Sequence, residues 1–392
     1  MNPKWNFTSP QHEGAFARQA HTDIPEGSFE REMGRDGFFG AASHLYHRNP
    51  PTAWLSIEGP AKPRAFGPFE LAHVITSPWD AVSVFSNAHV RVRFARLGRS
   101  MNHLVRNADG DELLFIHEGG GDLFCDYGRL CIDAGDYVVI PRGTMWRIET
   151  ATTMEILMIE STGEPYALPE RGLIGRHAPF DPGLLDRPRL DDVFLAQPKG
   201  DPWQVRVKRH NAVSTIAYPY NPLDAIGWKG DLYPVRLNIR DIRAITSDSI
   251  HLPPSIRTTF VSKRFIVCSL VPRLMETDPG AMKLPFFHNN DDYDEVIFQH
   301  RGKQSSRSSD IRPGVATYHP SGVTHGPHPQ MLPHMFDFPT AKTEGYSVMI
   351  DTRDPLEVDT EATKFEVKGY AESWRDSIAY APDAQPAVED TK

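Results

Sequence analysis

Cysteine is scarce in this chain. Three of 392 residues are cysteine, Cys125, Cys131 and Cys268, an odd number without metal-ligand spacing. That speaks against a disulfide-stapled fold and a thiolate metal framework, and leads us to expect free thiols in a reducing, cytoplasmic setting. Positive charge is short as well: 42 Lys and Arg face 51 Asp and Glu, a formal net charge of −9. Such a balance argues against nucleic acid or an anionic membrane surface as partner. No apolar run approaches the roughly 18 residues that a spanning helix needs. The opening MNPKWNFTSPQHEGAFARQAH lacks the charged-then-apolar plan of a secretory leader. Glycine-containing phrases such as LPERGLIG stand outside any βαβ pattern, so phosphate cradling is not expected.

Chain punctuation, by contrast, is plentiful. The 34 prolines and 29 glycines argue for many short strands joined by turns, not for long helices. From about Glu70 apolar residues alternate with polar ones: Val82 and Val84, then Val90, Val92 and Phe94. Period two with β-branched side chains predicts antiparallel strands with one buried face. Near the end, GYAESWRDS predicts a short amphipathic helix.

One stretch carries chemistry. FFHNNDDYDEVIFQHRG holds His288-x-Asn290, four residues, Glu295, six residues, then Gly302. RPGVATYHPSGVTHGPHP holds Gly314, five residues, Pro320-x-Gly322, two residues, then His325. The two halves match the cupin signature, in which glycines and proline bend the strands of a small β-barrel. The barrel would aim His288, Glu295 and His325 inward. Two imidazoles and a carboxylate on one face favour non-heme Fe(II) and oxygen chemistry.

The pattern occurs twice. In NADGDELLFIHEGGG and GDYVVIPRGTMW, Glu112 precedes Gly119 as Glu295 precedes Gly302, while Val105 and Trp146 stand where the other copy has His288 and His325. Asn107 matches Asn290. Glu112 thus has no histidine beside it, and Trp146 should fill the space of a metal. The expected fold is mainly β: two cupin-like β-barrel units, the N-terminal one degenerate and the C-terminal one metal-binding, with an irregular connector. An ordered arm would span 1–60, the N-terminal β domain 61–240 and the metal-bearing domain 241–392.

Several phrases in order, NADGDELLFIHEG, DYGRLCIDAGDYVVIPRGTMWRIE, LPERGLIG, PLDAIGWKGDLYP, FFHNNDDYDE and VTHGPHP, resemble the homogentisate 1,2-dioxygenases over most of the chain from about Pro25. The resemblance implies Fe(II) and ring cleavage of a small hydroxylated aromatic acid by O₂. Homogentisate going to maleylacetoacetate is the leading expectation, with assembly as a homotrimer or homohexamer. The departures sit at substrate-handling positions. Lys229, between Trp228 and Gly230, replaces the family's acid/base histidine. Phe286 and Phe287 stand where tyrosines are common, and Lys303 and Gln304 where another tyrosine is usual. The family leaves five residues between the first histidine and its glutamate, a spacing met here by Asp294. Glu295 sits at the right distance from Gly302, and both carboxylates remain candidates.

His319 matches a family histidine near the iron and is the first acid/base candidate, Lys229 the second. Asn290, Phe287 and Trp228 are expected around the substrate, and the basic Arg301, Lys303, Arg307 and Arg312 to attract an acid. Two rival readings are a dioxygenase for a gentisate- or hydroquinone-like ring and a non-catalytic double-cupin binding protein.

Overall fold

The computed structural model describes residues 10–71, 73–200, 202–303, 306–307 and 311–384. Gln304 lies outside the described residues.

Strand Gly110–Glu118 shows how the layers are built. Its even positions, Leu114 and Ile116, join a core with Val105, Trp146 and Ile148. Its odd positions, Leu113 and Phe115, join a larger core with Val296, Phe298 and Ile350. Side chains alternate across a strand, so a segment buried on both faces must lie in a middle layer. That layer is a seven-stranded sheet. On one side it packs against a six-stranded sheet containing Leu104–Asn107 and Met145–Glu149. On the other it meets a six-stranded sheet that contains Phe265–Leu270, Tyr346–Thr352, Asp294–Arg301 and Ala316–His319. A three-stranded sheet, Phe287–Asn290 with Phe29–Gly34 and Ala42–His47, completes the second unit. The arm is therefore ordered through its strands.

The fold is mainly β and its two units are cupin-like, as expected, with one correction: the sheets are open sandwiches and form no closed barrel. The sheets of a unit meet through side chains, while their edges take strands from elsewhere. Arg64–Phe66 pairs with Ala316–His319 in the second unit's sheet, and Glu357–Val358 pairs with Val82–Ser86 in the first unit's sheet. Each unit thus borrows a strand from the far side of the chain. Between the units, Tyr137 Oη and Ser269 Oγ are 2.9 Å apart, and the ring nitrogens of buried His117 and His300 3.0 Å. Near the C-terminus Ala371–Tyr380 forms a 3₁₀ helix that buries Trp374. Among the described residues no helix is long and apolar enough to cross a membrane.

Candidate metal centre

The Asp294–Arg301 strand obeys the same alternation. Asp294, Val296 and Phe298 face the first unit, and Glu295 faces the interior of the second. Asp294 is consumed by structure: it accepts hydrogen bonds from Tyr318 Oη at 2.9 Å, Ser321 N at 2.8 Å and Leu356 N at 2.7 Å. Glu295 instead meets two histidines. Its Oε1 lies 2.7 Å from His319 Nδ1 and 3.6 Å from His325 Nε2. His288 arrives from the three-stranded sheet, joined to His325 by an antiparallel bridge. One nitrogen or oxygen from each of His288, Glu295 and His325 lies within 4.8 Å of the others.

These side chains are set up as metal donors. His288 Nδ1 lies 3.0 Å from Phe286 O, and His325 Nδ1 3.2 Å from Val323 O. Donation to these carbonyls fixes the tautomer and leaves each Nε2 lone pair free for a metal. His325 Nε2 is buried without a hydrogen-bond partner. Burial pushes the His288 imidazole down to about 3, with the neighbouring His325 adding to the effect. Burial alone would raise Glu295, but contacts with His319 and His325 overcome it and hold the carboxylate well below its usual range. A neutral His288 imidazole beside a carboxylate held in its ionised form suits a divalent cation.

Around this triad, His319 stacks on His325 at 4.7 Å, and its Nε2 lies 3.1 Å from Tyr370 Oη. Both its ring nitrogens are engaged, and burial lowers its pKa to about 3. Asn290 follows His288 on the same face, and its Oδ1 is buried without a partner. Asp351 pairs in register with Glu295; burial first, and Glu295 second, push its carboxyl well above the usual range. Gly326 is required because a Cβ there would come within 2.5 Å of Phe287 Cδ1.

Other expected residues sit elsewhere. Phe287 points into a cluster with Phe29 and Leu284, while Phe286 and Phe38 present their rings to His288 at 5.4 and 5.3 Å. No motif marks Phe38, which lies in the arm. Trp228 is half-buried against Tyr127 of the first unit and against Tyr233, and Lys229 is exposed. Arg301 pairs with Glu118, and Arg307 lies over Trp374 at 5.6 Å. Lys303 lines a cleft with His251, Arg257, Arg273 and Ser306. Arg257 Nε has no partner there, and burial, with Arg273 nearby, lowers the guanidinium to about 10. Phe286 stands between cleft and triad, in edge contact with His251 at 6.3 Å.

Among the described residues the first unit has no such centre. Trp146 pairs with Val105, as His325 bridges His288, and fills the core. Glu112 Oε1 receives Arg93 Nη2 and Asn107 Nδ2, each at 2.6 Å.

The chain is similar to several known proteins. Residues 71–239 match the family described as "Homogentisate 1,2-dioxygenase N-terminal". A provisionally named dioxygenase of Saccharolobus solfataricus is 28% identical over 384 residues, 92% of this chain and 98% of that protein. Homogentisate 1,2-dioxygenase of Rhodopseudomonas palustris strain BisB5 is 24% identical over 355 residues, 86% of this chain and 77% of the enzyme. Among solved structures, a cupin 2 conserved barrel domain protein from Leptotrichia buccalis aligns with TM-score 0.36 and 8% identity, covering 74% of this chain and 96% of that one.

Proposed function

We propose that this diverged relative of the homogentisate 1,2-dioxygenases is itself an Fe(II)-dependent dioxygenase that cleaves the ring of a hydroxylated aromatic acid, homogentisate foremost. The observation that carries the reading is the convergence of His288, Glu295 and His325, with donor atoms within 4.8 Å of one another. Ferrous iron in a His₂-carboxylate set supplies a centre at which a phenolic substrate and O₂ react together, chemistry that side chains alone do not provide.

The chain's own residues do the rest. Phe286 O and Val323 O orient the two histidines. His319 donates from Nδ1 to Glu295 while Tyr370 donates to its Nε2, so a proton is held against the carboxylate. This arrangement favours His319 as the group that positions Glu295; acting as acid/base would first require it to release that bond. Asn290 Oδ1 is poised to accept a hydrogen bond from the substrate hydroxyl. In the neighbouring cleft Arg257 and Lys303 attract the substrate's carboxylate. Lys229 and Trp228, out on the first unit, are available to a neighbouring copy in a homotrimer or homohexamer. Ile226 and Leu232 beside them are 99% and 64% exposed, apolar surface that such a contact would cover.

Phe286 beside His288, in place of a family tyrosine, favours one second reading: a gentisate- or hydroquinone-like ring as substrate. Oxygen uptake by Fe(II)-reconstituted protein, with homogentisate, gentisate and hydroquinone in parallel, tests both readings. Uptake with homogentisate that vanishes in His325→Ala is the expected result. Uptake with another ring alone moves the substrate. Stoichiometric iron with no uptake on any ring overturns the dioxygenase reading.

A further inference from the structure

A second group of ligand-type side chains lies in the arm. His21, Glu30 and His44 bring three donor atoms within 4.8 Å of one another. The antiparallel pairing of Phe29–Gly34 with Ala42–His47 sets Glu30 opposite Tyr46 and Glu32 opposite His44. Alternate residues share a face, so these four side chains project together, and His21 covers them. His21 Nδ1 is 2.9 Å from Glu30 Oε2, and His44 Nδ1 is 3.1 Å from Glu30 Oε1. Glu30 also accepts from Tyr46 Oη at 3.3 Å and from the His21 backbone N–H at 3.1 Å.

Three features point to a cation. First, His21 Nε2 lies 3.1 Å from Glu32 Oε2. A carboxylate on the far nitrogen is the usual way a ligating imidazole is oriented and made more basic. Second, His44 Nδ1 is buried and aimed at Glu30, yet makes no well-formed hydrogen bond. Third, two carboxylates, 0% and 5% exposed, have among the described residues only these imidazoles as ion-pair partners; Arg31, between them in sequence, turns away to His47 and Asn289. Buried charge needs compensation, and one divalent cation with two neutral imidazoles balances two carboxylates.

We propose that His21, Glu30 and His44 form a second, structural metal site for a divalent transition cation of the zinc or ferrous class, with Glu32 orienting His21. Two nitrogens and a carboxylate oxygen suit such ions, whereas an all-oxygen set would select calcium or magnesium. The cation clamps the arm to the second unit. His21 stacks face to face on Phe286 at 3.8 Å, and Glu32 pairs in register with His288 across parallel strands.

Metal-stripped protein titrated with Co(II), read by visible absorption and equilibrium dialysis, tests the site. The decisive chain is His325→Ala, in which the first centre is disabled. It is expected to bind one equivalent and to melt at a higher temperature with Co(II) than without. The double variant His325→Ala/His44→Ala is expected to bind none and to show no thermal response. Glu32→Gln in the His325→Ala background keeps the three ligands and should weaken affinity about 10–100-fold. No Co(II) bound by folded His325→Ala overturns the proposal, as does one equivalent persisting in the double variant. Because the first centre is absent from these chains, either result leaves the dioxygenase reading standing or falling by itself.

Discussion

The two copies of the repeat solve one electrostatic problem in two ways. Each puts a glutamate on the inner face of a central strand, beside a second carboxylate in register: Glu112 with Glu160, and Glu295 with Asp351. In the first copy the cations are built in. Arg93 reaches both glutamates at 2.6 and 3.4 Å, Lys208 reaches Glu160 at 2.6 Å, and Asn107 joins the pair. In the second copy no arginine or lysine among the described residues forms an ion pair with Glu295 or Asp351. Histidines occupy the positions held by Val105, Trp146 and Ile140, burial pushes the Asp351 carboxyl upward, and contacts with His319 and His325 hold Glu295 low. A site with its counter-charge supplied covalently is a strut. On the function proposed above, the second copy leaves its counter-charge to an exogenous ion and works as a reaction centre.

Breaking the strut should give the largest effect. Arg93→Ala leaves two buried carboxylates short of a partner, and we expect a loss of about 3–5 kcal/mol, read from denaturant unfolding. Acid should sharpen the contrast at an intermediate level. Burial holds His288, His300 and His319 at about 3 and His251 at about 4 in the second unit, against His117 at about 4 in the first. These folded values lie below the unfolded value near 6.5. Between the two the unfolded chain binds protons that the native chain refuses. Stability is therefore complete above pH ~6.5 and falls as pH drops toward 4, by up to about 1.4 kcal/mol per pH unit for each such histidine. Unfolding of metal-free protein at pH 7, 6 and 5 measures this; an unchanged midpoint would contradict it. The smallest effect belongs to Asp351→Asn. Burial favours the neutral form of this carboxyl, which an amide resembles, so stability should change by less than about 1 kcal/mol, with metal content unaltered. Glu160→Gln, which weakens contacts to Lys208 and Arg93, should cost about 1.5–3 kcal/mol.

Much of this was legible in the sequence because the repeat is written in residues whose roles are local. Gly302, Gly314 and Gly322 adopt φ values of 65°, 88° and 78°, which glycine tolerates at strand ends, so their spacing located the second unit. The alternation along Asp294–Arg301 settles which of two adjacent carboxylates faces His325, but motif counting alone left that open. What stayed hidden depends on long-range pairing. Phe38 and His21 are brought to Phe286 by a parallel strand pair joining residues more than 250 apart, Arg31 with Phe287. Tyr370 and Trp374 reach His319 from the last helical turns. No local periodicity announces such partners. The exposure of Lys229 likewise follows from the docking of Trp228 on Tyr127, not from its motif.

The exchanged edge strands bear on how the chain is made. A ribosome delivers the other six strands of the seven-stranded sheet long before Glu357–Val358, so the Val82–Ser86 strand waits with an unsatisfied edge for most of synthesis. The partner edge, Ala316–His319, closes at once on Arg64–Phe66, a strand that has itself waited since the start. Open edges are templates for pairing between chains, so the nascent protein is most vulnerable to aggregation while its second half is still being translated. Severing the repeat at its midpoint would make that transient state permanent in both fragments. Although the chain carries one motif twice, neither copy supplies all the strands of its own sheet.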